Sequence, residues 1–550
     1  MRERRSTMSI RGGEMSGLIF NPLEAFENEY KNAHMRNTEQ FFENIVRQSG
    51  VDVEENRATI RQYDAHNENL KKLKKKFNWL RFLRVLMCIS LVLIPLVILK
   101  MTPKIKALRT EIENADQQAE AMMSKAKKQM HALNACFTEK DALDIMETTI
   151  PMISFDRCFS LEQEMNMKIN YDFQDNNEKN QSTIGVLAGK YNENPFLFEH
   201  KIIQTMSMET YRGYKTISWT ERYRDADGKW KTRLQTQTLE ATVTKPKPVY
   251  NKQLVLHYGS QAGPDLSFSR DATHLDQKSE KGIERYVKRG EKKLQKKTEK
   301  SISKNGNFMS MSNSQFEVLF DALDRTNEVQ FRTLFTPLAQ TNMVELILSK
   351  DGYGDDFDFV KTKRANRIFS KHSQGRAIKL VPEDYTSYSY DQIKENFIDK
   401  NRDYFKAVYF DFAPLLAIPV YQERPSPSLE PIPEISRTYT FREYEVLANA
   451  VEDKYIVHPN SKTRAILKAS FVGSKEGVDE MRITAYSYKT VKRIDHVTVR
   501  GDDGHYHDVP VEWDEYTPLE ISKNFCVSSL EKAANKSVMA NRDGLCMFLC

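Results

Sequence analysis

The chain has 550 residues, 40% hydrophobic, 10% aromatic and 29% charged, with a formal net charge of +6. That length implies two or more folded units, and the composition excludes a disordered or collagen-like chain. So small a net charge excludes a polyanion partner recognised by global charge alone. The six scattered cysteines (Cys88, Cys136, Cys158, Cys526, Cys546, Cys550) show neither a disulfide framework nor zinc-ligand spacing, and fit a reduced compartment.

The opening MRERRSTMSIRGGE is charged but leads into no apolar run, so it does not read as a secretory signal. Residues 1–81 form a predicted N-terminal helical region. Phe26, Tyr30, Ala33, Phe41 and Ile45 recur at helical spacing up to Gly50. Ile60, Tyr63, Leu70, Phe77 and Leu80 mark a second helix.

Val85–Leu99 is fifteen residues without a charge. With Phe82, Leu83 and Met101 it approaches the roughly 20 residues needed to cross a core about 30 Å thick, giving a transmembrane helix at 82–101. Trp79 stands where an interfacial aromatic belongs, Arg81 and Arg84 reach toward headgroups, Pro95 interrupts the run and Lys100 closes it. Seven basic residues from Lys71 to Arg84 face four from Lys100 to Arg109. The positive-inside rule then places the N-terminus in the cytoplasm and the remainder outside the cell membrane, as a single-pass protein. Pro95 leaves open a re-entrant hairpin returning to the same face.

Residues 103–150 form a heptad-patterned stalk. Ile105, Ile112, Ala119, Ala126 and Leu133 repeat every seven residues, and Leu108, Ala115, Met122 and Gln129 fill the offset positions. The expectation is a homo-oligomer through this helix, with a helix lying on the chain's own domain as the alternative.

Period-two alternation defines a β-rich part at 165–265, with a hairpin turn at Arg224–Lys229 and a strand end at Lys245-Pro-Lys-Pro248. Residues 270–421 read as a helical part with a basic segment, 425–434 as a Pro-rich linker, 435–525 as a second β-rich part, and 526–550 as an apolar C-terminal tail. A second hairpin turns at Gly501–Gly504. Matching text (Tyr214-Lys-Thr and Tyr488-Lys-Thr, Val186-Leu-Ala and Val446-Leu-Ala) suggests duplication of one β-rich unit. The expected fold class is α+β: one transmembrane helix, a juxtamembrane helical stalk, and a β-rich region interrupted by a helical part.

Candidate chemistry is sparse. Lys278–Lys304 holds eleven Lys or Arg and four Glu. Lys288, Arg289, Lys292, Lys293, Lys296 and Lys297 would contact an anionic surface, while Tyr286 alone gives too little stacking for nucleic acid. His505, His507 and Asp508 are candidate metal ligands on one strand. Asp351–Asp358 is an acidic loop without the ligand order of a calcium-binding hand. No phosphate-binding loop or dinucleotide fingerprint occurs, so no cofactor and no catalytic residue is assigned.

Three stretches, Arg84-Val-Leu86 with Leu93–Lys100, Asp265-Leu-Ser-Phe-Ser269, and Asn327–Pro337, resemble uncharacterised single-pass membrane proteins of Gram-positive bacteria and mycoplasmas. The resemblance implies an anchor and carries no activity. The function expected is a membrane-anchored interaction or scaffold protein without its own catalysis, partnered by the lipid bilayer and a further protein. The alternative is a membrane-bound hydrolase or ligand-binding protein with a site assembled from distant residues.

Overall fold

The structure is a computed structural model describing residues 18–88, 101–175, 177–273, 275–303, 308, 310–350, 352–426, 429–433, 439–529, 537–542 and 545–549. Its mixture of helices and two antiparallel sheets is α+β. In chain order the longer helices are α1 (Lys31–Ser49), α2 (Val53–Cys88), α3 (Thr102–Asn134), α4 (Asp141–Thr149), α5 (Leu161–Tyr171) and α6 (Glu280–Ser303). There follow α7 (Ser314–Phe320), α8 (Glu328–Leu334), α9 (Pro337–Leu348), α10 (Tyr390–Leu416) and α11 (Phe441–Ala450). The described chain divides into a helical unit, Phe20–Ile153 with Lys379–Phe410, and a β-rich unit containing Ser154–Ile378 and Asp411–Cys550.

In the helical unit α1 ends where Gly50 takes φ 63°, a left-handed cap that favours glycine. Its buried face stacks Phe42 with Phe137, sets it tilted against Phe397, and lays His34 on Phe405 with ring centroids 3.9 Å apart. Burial lowers the His34 pKa to about 4, so the ring is neutral at pH 7 and bonds Thr149 and the Asn401 carbonyl.

Helices α2 and α3 pair antiparallel. Lys125 meets Glu55 at 3.0 Å, whereas His66, farther along α2, meets the Ala115 carbonyl, farther back along α3, at 2.9 Å. All nine heptad seam positions from Ile105 to Leu133 are buried or half-buried, and α2 lies along α3. The seam read as a face for a second copy is thus occupied within the chain. The physical reason is proximity: an antiparallel hairpin meets its partner helix without the entropic cost of bringing two molecules together. Residues on either side of the expected span also share one unit, since His34 and Asn37 of α1 bond Thr149 of α4.

The β-rich unit holds β1 (Ile153–Phe155), β2 (Gln181–Tyr191), β3 (Asn194–Arg224), β4 (Trp230–Gly259), β5 (Ser267–Arg270), β6 (Phe357–Thr362) and β7 (Ala365–Ser370). These form one sheet in the order β1-β2-β3-β4-β7-β6-β5. The stretch expected to be helical therefore supplies two strands, β6 and β7, where Phe357, Phe359 and Ile368 alternate into the core. A second sheet, β11-β12-β10-β9-β8, contains β8 (Ile466–Lys475), β9 (Val478–Arg500), β10 (Tyr506–Ser529), β11 (Val538–Arg542) and β12 (Leu545–Leu549). The tail is thus sheet, with Cys546, Met547 and Phe548 buried.

Strand β4 runs straight through Pro246 and Pro248, where the sequence reading ended it. These prolines lie opposite Met208 and Met206 of β3. Being two apart, they turn their missing N–H to the same edge, and β4 meets β7 only from Leu256 onward. A strand tolerates proline on such an unpaired edge. The ribbons β3–β4 and β9–β10 pack face to face through Ile217, Leu239, Ala241, Val509 and Val511. At Gly213 a Cβ would sit 2.0 Å from the Pro510 carbonyl oxygen, so only glycine permits that approach. The Tyr-Lys-Thr pair does fall inside the outgoing strands of the two ribbons, Tyr214 in β3 and Tyr488 in β9. Val186–Ala188, however, is strand and Val446–Ala448 is helix, so this second match does not support duplication.

Candidate functional site: a cationic hairpin end and a basic cavity

Among the described residues no helix is long and apolar enough to cross a membrane. The centre of the expected span, with Pro95 and Lys100, lies outside the described residues. What is described is the end of the α2–α3 hairpin that leads into it. Trp79, Phe82, Val85 and Leu86 are 61%, 59%, 65% and 54% exposed. An aqueous helix end has no reason to display four large apolar side chains in two turns. Lys71–Lys76, apart from half-buried Leu73, are exposed on α2 together with Arg81 and Arg84; Lys104, Lys106 and Arg109 are exposed on α3. Antiparallel pairing gathers both basic brackets into one collar.

The basic segment is α6, which places Arg289, Lys292, Lys293 and Lys297 around a cavity of about 510 Å3 against α7. Lys288 and Lys296 are exposed on the same helix but do not line it.

The histidine candidates fall at the tip of β9–β10. His507 Nε2 lies 2.8 Å from Asp503, and Asp508 accepts from Thr498. Among the described residues no group of three or more His, Cys, Asp or Glu is placed to hold a metal ion, so His505, His507 and Asp508 are not assembled as ligands. In the acidic loop, Asp355 is taken by Arg270 and Thr273, Asp356 by His372, and Asp358 by the Ala272 N–H. Hydrogen bonds within the protein thus engage each of these three carboxylates.

The sequence reading missed a buried ion network. Arg442 of α11 donates to Glu199 at 2.8 Å, Glu164 at 2.9 Å and Asp175 at 2.7 Å, while Lys201 reaches Glu199 at 3.1 Å. Lys168 contacts Glu164 and Asp175. Burial resists ionisation of Glu199, but Arg442 and Lys201 hold its carboxyl well below the usual carboxylate range. His257, 3.3 Å from Glu199, is driven by burial to about 4 and is neutral. Arg442, Lys201 and Lys168 therefore balance Glu199, Glu164 and Asp175. The network holds α5, α11 and β3 together. Cys526 is disulfide-bonded, a pairing that the scatter of cysteines does not announce.

Comparison with protein-family models, curated proteins and solved structures finds no match. The likeness to Gram-positive and mycoplasma membrane proteins accordingly rests on the three sequence stretches alone.

Proposed function

We propose that the chain is a membrane-associated scaffold that dips into one leaflet through the end of the α2–α3 hairpin, with both flanks of the apolar segment on the same face. The observation that carries this reading is the exposed Trp79, Phe82, Val85 and Leu86 inside a collar of cations contributed by both arms. The described end of α2 from Trp79 to Cys88, at ~1.5 Å rise per residue, reaches about 15 Å, half of a ~30 Å hydrocarbon core. The collar then lies against anionic headgroups, and the positive-inside rule favours the cytoplasmic face. This replaces the single-pass, two-sided topology, whose flanking helices would have to part.

The scaffold reading is preferred to a hydrolase because the carboxylates of the Arg442 network are matched by cations within it. For protein contacts the chain offers the long β3–β4 ribbon, where Trp230 and Leu234 are exposed. Flotation of the full chain with anionic vesicles tests the anchor. The wild type should rise with the vesicles and Val85→Asp/Leu86→Asp should remain behind. Equal flotation of both would refute insertion at this end.

A further inference from the structure

The cavity between α6 and α7 falls within the size range of small-molecule sites, roughly 300–1,000 Å3. Its lining has two characters. Leu294, Val318 and Leu323 are apolar, whereas Arg289, Lys292 and Lys293 bring positive charge. The two helices touch at Gly290, where a Cβ would lie 2.3 Å from Val318 Cγ1, so the space is set by a close helix crossing.

Charge around the cavity is unbalanced. Lys297 is engaged, donating to the Leu323 carbonyl at 3.1 Å and lying 4.2 Å from the Phe308 ring centroid. Glu317 is taken by Arg325 at 2.5 Å and by the Met311 N–H. Asp321 is the remaining carboxyl among the described lining residues, and burial raises its pKa. Among the described residues Arg289, Lys292 and Lys293 make no ion pair, which leaves three cations beside an apolar pocket.

We infer that this cavity binds a single-chain anionic amphiphile, its phosphate or carboxylate head among Arg289, Lys292 and Lys293 and its chain against Leu294, Val318 and Leu323. A bare anion would leave the apolar wall unused. Among the described lining residues a nucleic acid would find Tyr286 as its only stacking partner. A lipid drawn from a bilayer and a soluble acyl anion share this chemistry. The inference is independent of the hairpin anchor, because it rests on α6 and α7.

The test is titration calorimetry of the full chain with dodecyl phosphate below its aggregation concentration, alongside inorganic phosphate and an uncharged dodecyl glycoside. Dodecyl phosphate should bind tightest. Lys292→Glu/Lys293→Glu and Leu323→Trp should each weaken it about tenfold or more, which is at least ~1.4 kcal/mol. The first pair alters exposed side chains and the second fills the pocket from its half-buried rim, so each checks the other. Val85→Asp/Leu86→Asp should bind as the wild type does. Displacement by anionic vesicles would identify a bilayer lipid as the source, and its absence a soluble amphiphile. Inorganic phosphate or the glycoside binding as tightly would overturn the inference. So would binding that survives both cavity variants, or that is lost only with the hairpin variant.

Discussion

Neutralising the hairpin collar gives the most quantitative prediction about membrane attachment. Lys72, Lys75 and Lys76 are exposed on α2, and among the described residues none has a carboxylate partner, whereas Lys74 already faces Asp116 at 2.8 Å. A cation near an anionic bilayer contributes about 1 kcal/mol. Lys72→Gln/Lys75→Gln/Lys76→Gln should therefore cost about 3 kcal/mol, roughly a hundredfold in vesicle affinity. Lys74→Gln should cost less than Lys75→Gln, because its charge is partly answered within the hairpin. Lipid titrations would be read by flotation, with vesicles one-third anionic or wholly zwitterionic. The loss should appear only on anionic vesicles and fade at high salt, as the screening length falls from about 10 Å at 0.1 M to about 3 Å at 1 M. An unchanged triple variant, or an equal loss on zwitterionic vesicles, would refute the collar.

Two further predictions concern the β-rich unit. Arg442→Met leaves Glu199, Glu164 and Asp175 with only Lys201 and Lys168 to balance them, and should destabilise the fold by about 3 kcal/mol at pH 7. Because the Glu199 carboxyl is held low in the folded wild type, its stabilisation is present above the unfolded value of about 4.3 and is lost as pH falls. The deficit of the variant should hold from pH 7 to about pH 4.5 and shrink as pH falls below about 4.3 in urea unfolding, and a deficit that stays constant below that value would count against the network. Lys361, almost fully buried, is lowered to about 7 by burial. The unfolded chain then holds one more proton between pH 7 and 10, so stability should rise with pH across that window. Lys361→Met should flatten the rise by up to about 1.4 kcal/mol per pH unit in thermal melts, and an unchanged pH profile would exclude it.

Much of the architecture is readable from local periodicity, and what is lost is whatever depends on distant partners. The seam from Ile105 to Leu133 is legible because seven-residue spacing marks a covered face whatever covers it. Its partner is obscured because the facing positions of α2 begin with Asn56, Thr59 and His66, which look solvated yet are buried or half-buried. Alternation reveals the ribbon around Ile217 and Trp219. The same logic fails at Pro246 and Pro248, because whether a strand tolerates proline depends on its neighbouring edge. Strands β6 and β7 are only six residues each, and the first follows a run of aspartates. The Arg442 network draws on residues 164, 168, 175, 199, 201 and 442, with no common spacing. Its one local hint is that Arg442, Glu443 and Glu445 share a short helix with Tyr444, Val446 and Leu447, and every one of them is buried. In the basic segment, composition locates α6, but the distinction between Lys293 at the cavity and Lys296 on the outer face needs the helix that packs against it.

The central claim is that both flanks of the apolar segment lie on one side of the membrane. It is tested most directly by inserting protease sites at two places, the α1–α2 turn at 50–52 and the Pro-rich stretch at 425–433. Digestion is then compared in intact and permeabilised cells. The account predicts that both sites are protected in intact cells and that both are cut on permeabilisation. Cleavage of the second site in intact cells while the first stays protected would mean a true crossing, and would contradict the hairpin.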